Sequence, residues 1–397
     1  MRTSNLAALL IFVLFPALGC EAGAPPSGGS EGTQVAETVE TGRLVIVGGG
    51  LQSENTPVYE AILDGRLGSD PLCVIPTASG TPERSMEGYV STFDELGGPG
   101  TARGILLTVE EPARADSEAV AAQLKSCSGF FFTGGSQSRI TTVLRPQGEA
   151  TAAFEAIWER FMAGAVVAGS SAGAAIMTDP MIAGGGSLEA LQMGIRSEEE
   201  DAEGVLIEPG LGFLEIGFID QHFLARGRWG RLLVAILDSG GDGLGFGIDE
   251  NTALVVNGDS ARVVGESGVI FMDARSFSGE GGDTLSRQAR VFLLGNGDVV
   301  SLDNGEVAWD SAKEDLPATD RPFDLRAPDL FDDMALLEVL HQLALARDAE
   351  ASFVQDGYRI EVREGSDFQA LAGEGEGVAG TPWGLSMGPF LLNVQRE

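Results

Sequence analysis

Histidine, cysteine and lysine are all scarce in this chain. Of its 397 residues, two are histidines and three are cysteines, and lysine occurs only at Lys125 and Lys313. Neither Cys73 nor Cys127 has a histidine or cysteine nearby at a spacing typical of metal ligands, so we predict no metal site. We expect both cysteines to be buried free thiols, although an exported protein could join them in a disulfide.

Positive charge is also in short supply, with 25 basic residues against 59 acidic ones and a formal net charge of -34. We therefore do not expect the protein to bind nucleic acid, because a phosphate backbone requires a basic surface. The excess of negative charge favours solubility, or attraction to a cationic, arginine-bearing substrate. A nucleotide cofactor is not expected either: the turn in RLVIVGGG lacks the G-x-G-x-x-G pattern, and Pro57 follows soon after it.

The N-terminus has the pattern of a targeting segment. Residues 1–20 contain a short apolar run that ends in A-L-G-C at Cys20, which is typical of a bacterial lipoprotein signal, although Ala17 stands where leucine is usual. Residues 21–41 are rich in Gly, Pro, Ser, Thr and Glu, as in a flexible linker. We expect an exported protein that is lipid-anchored to a membrane at Cys20, or else secreted after cleavage nearby.

Short apolar strands alternate with amphipathic helices from residue 43 onward. This pattern predicts an α/β fold: a three-layer αβα sandwich around a mainly parallel sheet, with functional loops at the carboxyl ends of the strands. After residue 238 the alternation of apolar and polar residues predicts antiparallel hairpins. We therefore divide the chain into a main domain at residues 42–275 and a C-terminal α+β extension at 276–397, whose role stays open.

The pentapeptide G-S-S-A-G places Ser171 between two glycines at the end of an apolar strand. Such a turn lifts a hydroxyl out of the strand and presents it as a nucleophile, so Ser171 is preferred to Ser170. The backbone amide of Ala172 could then face a developing oxyanion. In FFFTGGSQ, Gly135 is a candidate for the second oxyanion donor and Gln137 for a contact to a substrate amide, although the loop taken alone favours a simple tight turn.

A serine needs a base, and His222 is the better of the two histidines in the chain. It lies in a polar stretch beside Asp220 and Gln221, whereas His341 lies among leucines on an amphipathic helix and is expected to be structural.

Three arginines follow the histidine in DQHFLARGRWGRL, namely Arg226, Arg228 and Arg231. The planar guanidinium fork suits carboxylates, so these residues favour a substrate that carries them. Some of them could instead pair with Asp220 or Asp249 inside the site. Together with the serine and the histidine, they predict a serine hydrolase that acts on a peptide-like bond.

A triad also requires an acid that orients the imidazole. We predict Glu189, because it follows a glycine run soon after the nucleophile, with Asp179 and Asp220 as rivals. The acidic run at residues 197–203 is expected to be a solvated loop.

The combination of FFTGGSQ, GSSAGA, DQHFLARGRWGRL and GFGIDENTA resembles the cyanophycinases, which belong to the serine peptidase family that also contains the aspartyl dipeptidases and peptidase E. The resemblance covers about residues 43–275. It implies a fold similar to class I glutamine amidotransferases, with Ser171 as nucleophile, His222 as base and Glu189 as the third member. It also implies a substrate pocket, which would contain Gln137, Asp220, Gln221, Arg226, Arg228 and Arg231.

The family's substrate is cyanophycin, a polyaspartate chain with arginines on its β-carboxylates, from which cleavage releases β-Asp-Arg dipeptides. The alternatives are an aspartyl or isoaspartyl dipeptidase, another acyl hydrolase of the same fold, or a surface-anchored binding lipoprotein that has lost catalysis. A second copy of the chain, as a homodimer, is a further candidate partner. No cofactor is expected.

Overall fold

A computed structural model describes residues 41–196, 204–277, 286–319, 329–347 and 349–397. All of these belong to one unit of the chain, Val39–Glu397. The predicted signal at residues 1–20, its Cys20, residues 21–40 of the predicted linker and the acidic run at 197–203 lie outside the described residues.

Nine α-helices lie within the described ranges. They are α1 (Thr56–Leu63), α2 (Pro82–Gly97), α3 (Glu118–Lys125), α4 (Gln137–Leu144), α5 (Ala152–Met162), α6 (Ala172–Ala175), α7 (Ser187–Met193), α8 (Trp229–Asp238) and α9 (Ala335–Ala346).

The same ranges hold twenty strands. They are β1 (Leu44–Val47), β2 (Leu72–Ile75), β3 (Ala102–Gly104), β4 (Gly129–Phe132), β5 (Val166–Ser170), β6 (Met181–Gly184), β7 (Ile195–Arg196), β8 (Val205–Glu208), β9 (Phe218–Gln221), β10 (Leu244–Ile248), β11 (Thr252–Asn257), β12 (Ser260–Gly265), β13 (Gly268–Asp273), β14 (Ser286–Gly295), β15 (Val299–Ser301), β16 (Val307–Ala308), β17 (Glu314–Asp315), β18 (Glu350–Gln355), β19 (Tyr358–Ala372) and β20 (Ser386–Arg396).

The first sheet has the order β16-β15-β12-β11-β1-β5-β4-β2-β3. Strands β1, β5, β4, β2 and β3 pair in parallel, and β11, β12, β15 and β16 extend this sheet with antiparallel pairs. Every residue of β1, β2, β4 and β5 is buried, as expected for strands that are covered on both faces.

Alternate residues of β1 enter two different hydrophobic cores. Leu44 and Ile46 belong to the core that contains residues of α3 and α5, whereas Val45 and Val47 belong to the core that contains residues of α1 and α2. Because side chains alternate across a strand, these two cores lie on opposite faces of the sheet. The prediction of an α/β sandwich around a parallel-rich sheet is therefore confirmed.

A second sheet, β17-β19-β20-β14-β13-β10-β9, unites the end of the main domain with the C-terminal region. Strand β9 pairs in parallel with β10, and the remaining neighbours pair antiparallel. The boundary predicted at residue 275 falls between β13 and β14, which pair with each other over six residue pairs. The C-terminal region thus extends the sheet whose other end carries β9 and β10.

Cys73 and Cys127 form a disulfide, so the expectation of two free thiols is wrong. Cys73 lies in β2, and Cys127 lies two residues before the start of β4, the parallel neighbour of β2. This pairing brings their Cα atoms to 5.8 Å, within the range that a disulfide spans. Both residues are fully buried, as was expected.

None of the described helices is both long enough and apolar enough to cross a membrane.

Candidate active site

Ser171 occupies a sharp turn between β5 and α6. Its φ of 56° and ψ of -109° are strained for a residue with a side chain, and its N–H donates to the carbonyl of Val47 at 2.9 Å. The flanking glycines are required by close approaches: a Cβ on Gly169 would stand 2.2 Å from the carbonyl oxygen of Gly173, and one on Gly173 would stand 2.3 Å from that of Phe132. The turn therefore projects the serine hydroxyl from the carboxyl edge of the sheet.

His222 follows β9 directly and faces this hydroxyl. Its Nε2 lies 2.8 Å from Oγ of Ser171, and its backbone N–H donates to the carbonyl of Gly48 at 2.7 Å. The structure thus brings together two residues that are 51 positions apart in the sequence.

The acid that contacts the imidazole is Glu250, not Glu189. Oε1 of Glu250 lies 2.5 Å from Nδ1 of His222. The reason is the parallel pairing of β9 and β10, in which Gln221 is opposite Ile248. Because the carboxyl ends of parallel strands share an edge, the residues just beyond each strand become neighbours.

Glu189 instead lies in the first turn of α7, with its carboxylate close to the backbone of Gly186. The two rival acids also have other partners, since Asp179 pairs with Arg145 and Asp220 with Arg231. A neutral His222 that carries its proton on Nδ1 can donate to Glu250 and accept the serine proton at Nε2.

The glycine-rich turn after β1 packs against the imidazole of His222. A Cβ on Gly49 would stand 2.3 Å from Cε1 of His222, and one on Gly50 would stand 3.1 Å from Oε2 of Glu250. The carbonyl of Gly49 also accepts the N–H of Asn251, which follows Glu250. The sequence predicts this turn at the carboxyl edge of the sheet, where functional loops lie, but does not indicate its contacts. In the structure the turn lets the main chain approach the two catalytic candidates.

The predicted oxyanion donors lie beside the serine. Ala172 begins α6 directly after Ser171, and a Cβ on Gly134 would stand 3.3 Å from Cβ of Ser171. Gly135 has a φ of 143°, and a Cβ there would stand 2.0 Å from the carbonyl oxygen of Ala78, so only glycine fits. Within the described ranges, neither the Ala172 nor the Gly135 N–H has a hydrogen-bond acceptor.

Two of the predicted substrate-binding residues are paired with each other in the interior. Arg231 donates to both carboxylate oxygens of Asp220, from Nε at 2.7 Å and from Nη2 at 2.5 Å. Its Nη1 donates to the carbonyl of Gly185 at 2.6 Å. The side chains of Arg231 and Asp220 are 4% and 1% exposed, so the pair supports the site from within instead of facing a substrate.

Gln221 and Arg228 form a second internal contact. Arg228 Nη1 donates to both the backbone carbonyl and Oε1 of Gln221. Burial, followed by repulsion from Arg231, lowers the pKa of Arg228 to about 10, which leaves it charged at neutral pH. Gln137 is also buried, and its Nε2 donates to the carbonyls of Ile182 and Ala183 at 3.0 Å.

Arg226 differs from the other two arginines because it is exposed. It ends the short 3₁₀ turn Leu224–Arg226, and it has no ion pair in the part of the chain that the structure describes. The buried carboxylate of Asp249 accepts the N–H of Ala225 at 2.9 Å and thereby ties this turn to the end of β10. The positive charge of Arg226 acts on the imidazole of His222 from this turn.

The pKa of His222 is lowered below its usual value. Burial is the main cause, and the positive charges of Arg226 and Arg228 add to it, whereas the hydrogen bond to Glu250 opposes it. The imidazole is therefore neutral, and able to act as a base, at neutral pH.

Glu250 is a site residue that sequence reasoning missed, whereas Gly49 belongs to a predicted turn for which no specific contact was predicted. Glu250 lies in GFGIDENTA, one of the four motifs that carried the resemblance, but the strand before it was expected to belong to an antiparallel hairpin. His341 is partly buried on α9, and desolvation lowers its pKa.

Among the described residues, no group of three or more His, Cys, Asp or Glu side chains could hold a metal ion.

Comparison with known proteins identifies relatives of this chain. The sequence pattern of peptidase family S51 matches residues 21–264. The cyanophycinase of Trichormus variabilis is 37% identical over 213 residues, which cover 53% of this chain and 66% of that protein. The cyanophycinase of Synechococcus elongatus is 35% identical over 207 residues, which cover 52% of this chain and 59% of that protein. Both alignments span less than two thirds of the relative's own length.

Among solved structures, a peptidase from an acI-B1 Actinobacterium has a TM-score of 0.48 and 23% sequence identity, over 66% of this chain and 97% of that one.

Proposed function

This chain belongs to peptidase family S51, and we propose that it is a serine hydrolase that cleaves the backbone peptide bonds between the aspartyl units of cyanophycin or its fragments. The resemblance of its motifs to those of a serine peptidase family agrees with this membership. The observation that carries the proposal is the hydrogen-bonded series of Ser171, His222 and Glu250, with distances of 2.8 Å and 2.5 Å. Such a series activates an otherwise weak nucleophile.

The reaction begins when Oγ of Ser171 attacks the carbonyl carbon of a backbone peptide bond between two aspartyl units, while Nε2 of His222 accepts the hydroxyl proton. The N–H groups of Ala172 and Gly135 stabilise the resulting oxyanion, and Glu250 stabilises the imidazolium. As the C–N bond breaks, His222 returns the proton to the leaving amine and an ester with Ser171 remains. Water, deprotonated by His222, then attacks the ester and restores the hydroxyl.

Two features support a substrate that carries both carboxylates and arginines. The exposed guanidinium of Arg226, whose charge acts on His222, suits a carboxylate of the substrate. The net charge of -34 favours the approach of a polymer that bears many arginine side chains. The relatives named above are cyanophycinases, which suggests the same polymer.

The test is incubation of the purified protein with cyanophycin, followed by mass analysis of the products. We expect β-Asp-Arg dipeptides from the wild-type protein and none from a folded Ser171→Ala variant. Isoaspartyl dipeptides and α-linked Asp-X dipeptides, offered in parallel, separate cyanophycinase activity from dipeptidase activity. A fluorophosphonate probe should label the wild type at Ser171, whereas a binding protein without catalysis would not react.

We further propose that the protein is exported and lipid-anchored through Cys20. The A-L-G-C sequence at the end of an apolar run supports this, and so does the Cys73–Cys127 disulfide, since disulfides persist in oxidising compartments. Metabolic labelling with an alkyne fatty acid should modify the full-length chain but not its Cys20→Ala variant. Equal labelling of both would exclude the anchor at this residue.

A further inference from the structure

We propose that a groove between α5 and the loop that follows β8 is a second binding site, separate from the triad, for the arginine side chains of an extended polymer. That this polymer is the substrate of the enzyme rests on the proposed function. The argument that the groove binds arginine side chains does not depend on it. The groove has a volume of about 660 Å³, and its lining residues include none of the triad. This volume lies within the range of sites that bind small ligands or side chains.

Trp158 provides an aromatic surface in this groove. It is half-buried, and its indole stacks on the ring of Phe213, with centroids 5.4 Å apart and an angle of 25° between the rings. Phe154 and Phe161 pack against the same two rings. The indole is thus held in place by a rigid aromatic cluster, and tryptophan is the side chain that binds cations best through its π-face.

Carboxylates surround this aromatic surface. Glu155 and Glu215 are both exposed, and neither has a basic partner in the described part of the chain. The basic side chain in the groove, Arg145, is neutralised by Asp179 at 2.5 Å. A cation that enters the groove therefore meets an aromatic face and two unpaired negative charges.

An arginine side chain fits this chemistry better than a lysine side chain. The planar guanidinium stacks on aromatic rings and binds carboxylates with two parallel hydrogen bonds, and it is more weakly hydrated than an ammonium group.

A second groove adjoins the first and favours a polymer over a single small ligand. Its volume is about 480 Å³, and it shares Trp158, Leu214 and Glu215 with the first groove. Asp259 and Asp303 add two further carboxylates along it. Trp158 thus stands where the two grooves meet, so that a chain with regularly spaced cations could contact several acidic positions at once. Multiple weak contacts of this kind raise the affinity for a polymer above that for any single unit.

The direct test measures the binding of a fluorescent oligo-arginine peptide to full-length protein with Ser171→Ala, by anisotropy at fixed ionic strength. We expect Trp158→Leu, or the pair Glu155→Gln and Glu215→Gln, to weaken binding by about tenfold. Glu60→Gln, which removes an exposed carboxylate of α1 outside the groove, is the matched control and should leave binding unchanged. An oligo-lysine peptide of equal length should bind more weakly than oligo-arginine.

Equal binding by Trp158→Leu and its parent, or equal binding of oligo-arginine and oligo-lysine, would overturn the proposal. If Trp158→Leu unfolds, Trp158→Phe keeps the aromatic cluster and should show an intermediate loss. In the active enzyme, the same substitutions should raise KM for the polymer and leave kcat/KM for a short soluble fragment unchanged. Absence of any hydrolysis by the wild type would refute the proposed function. The oligo-arginine measurement would still show whether the groove binds arginine side chains.

Discussion

Gly49 lies directly beneath the imidazole of His222, so that a Cβ at position 49 would stand 2.3 Å from Cε1 and 2.4 Å from Nε2. The backbone of this glycine has a φ of 115°, which residues with side chains rarely adopt. The N–H of His222 in turn donates to the carbonyl of Gly48 at 2.7 Å. The turn after β1 therefore helps to fix the position of the imidazole, and thereby the distance between His222 and Ser171.

We predict that Gly49→Ala lowers kcat because the added methyl group displaces the imidazole from Ser171. A displacement of about 1 Å is expected to reduce the rate by roughly a hundredfold. The measurement is the steady-state rate of β-Asp-Arg release from cyanophycin. Gly68→Ala is the matched control, because Gly68 has a φ of 82° but no atom within 4 Å of an added Cβ. A similar loss of kcat in both variants would show that backbone strain, and not the contact with His222, is responsible.

Replacement of the acid that contacts His222 should be far more damaging than replacement of the acid predicted from the sequence. Glu250→Gln leaves an amide at Nδ1, which favours the wrong tautomer, and we expect kcat to fall by about 10³- to 10⁴-fold. Glu189→Gln should retain activity within a small factor, since its carboxylate lies near Gly186. The reverse order of activities would restore Glu189 to the triad.

The acidic limb of the pH–rate profile should respond to the charge of Arg226. A general base works only when deprotonated, so kcat/KM falls as the pH drops through the pKa of His222. Arg226 helps to lower that pKa, and Arg226→Gln should therefore raise it and move the limb to higher pH. Arg262→Gln, an exposed arginine in β12, should leave the limb in place. A limb that moves to lower pH in Arg226→Gln would contradict this assignment.

The two lysines of the chain should differ sharply in their effect on stability. Lys313 is 4% exposed and donates from Nζ to Asp298 at 2.7 Å and to Ser386 at 2.6 Å. Lys313→Met leaves the fully buried carboxylate of Asp298 without its cation, and we expect a loss of about 3–5 kcal/mol in the free energy of unfolding. Lys125→Met removes a solvent-exposed pair with Glu159 and should cost about 0–1 kcal/mol. Urea unfolding of the two variants checks this difference, and equal losses would contradict it.

The local features of the site could be predicted from the sequence because they depend on neighbours in the chain. The glycines that flank Ser171 stand where a buried strand meets a helix, and this local pattern predicts a tight turn. The scarcity of histidine reduced the choice of base to two residues, and only His222 lies in a polar stretch.

Contacts between distant segments could not be predicted in this way. Glu189 was chosen for its closeness to Ser171 in the sequence, whereas the register of β9 against β10 places Glu250 beside the imidazole. The disulfide likewise depends on the pairing of β2 with β4, which brings together cysteines that are 54 residues apart.

The sequence by itself thus determined the alternation of strands and helices, the turn at Ser171 and the polar setting of His222, because backbone sterics and hydrophobic periodicity act over a few residues. Only the tertiary structure decided that Glu250 is the partner of the imidazole and that Gly49 must lack a side chain. It also decided that Arg231 pairs with Asp220, whereas Arg226 has no ion pair among the described residues. Strand order and register set these contacts, and both depend on how the whole sheet packs between its layers.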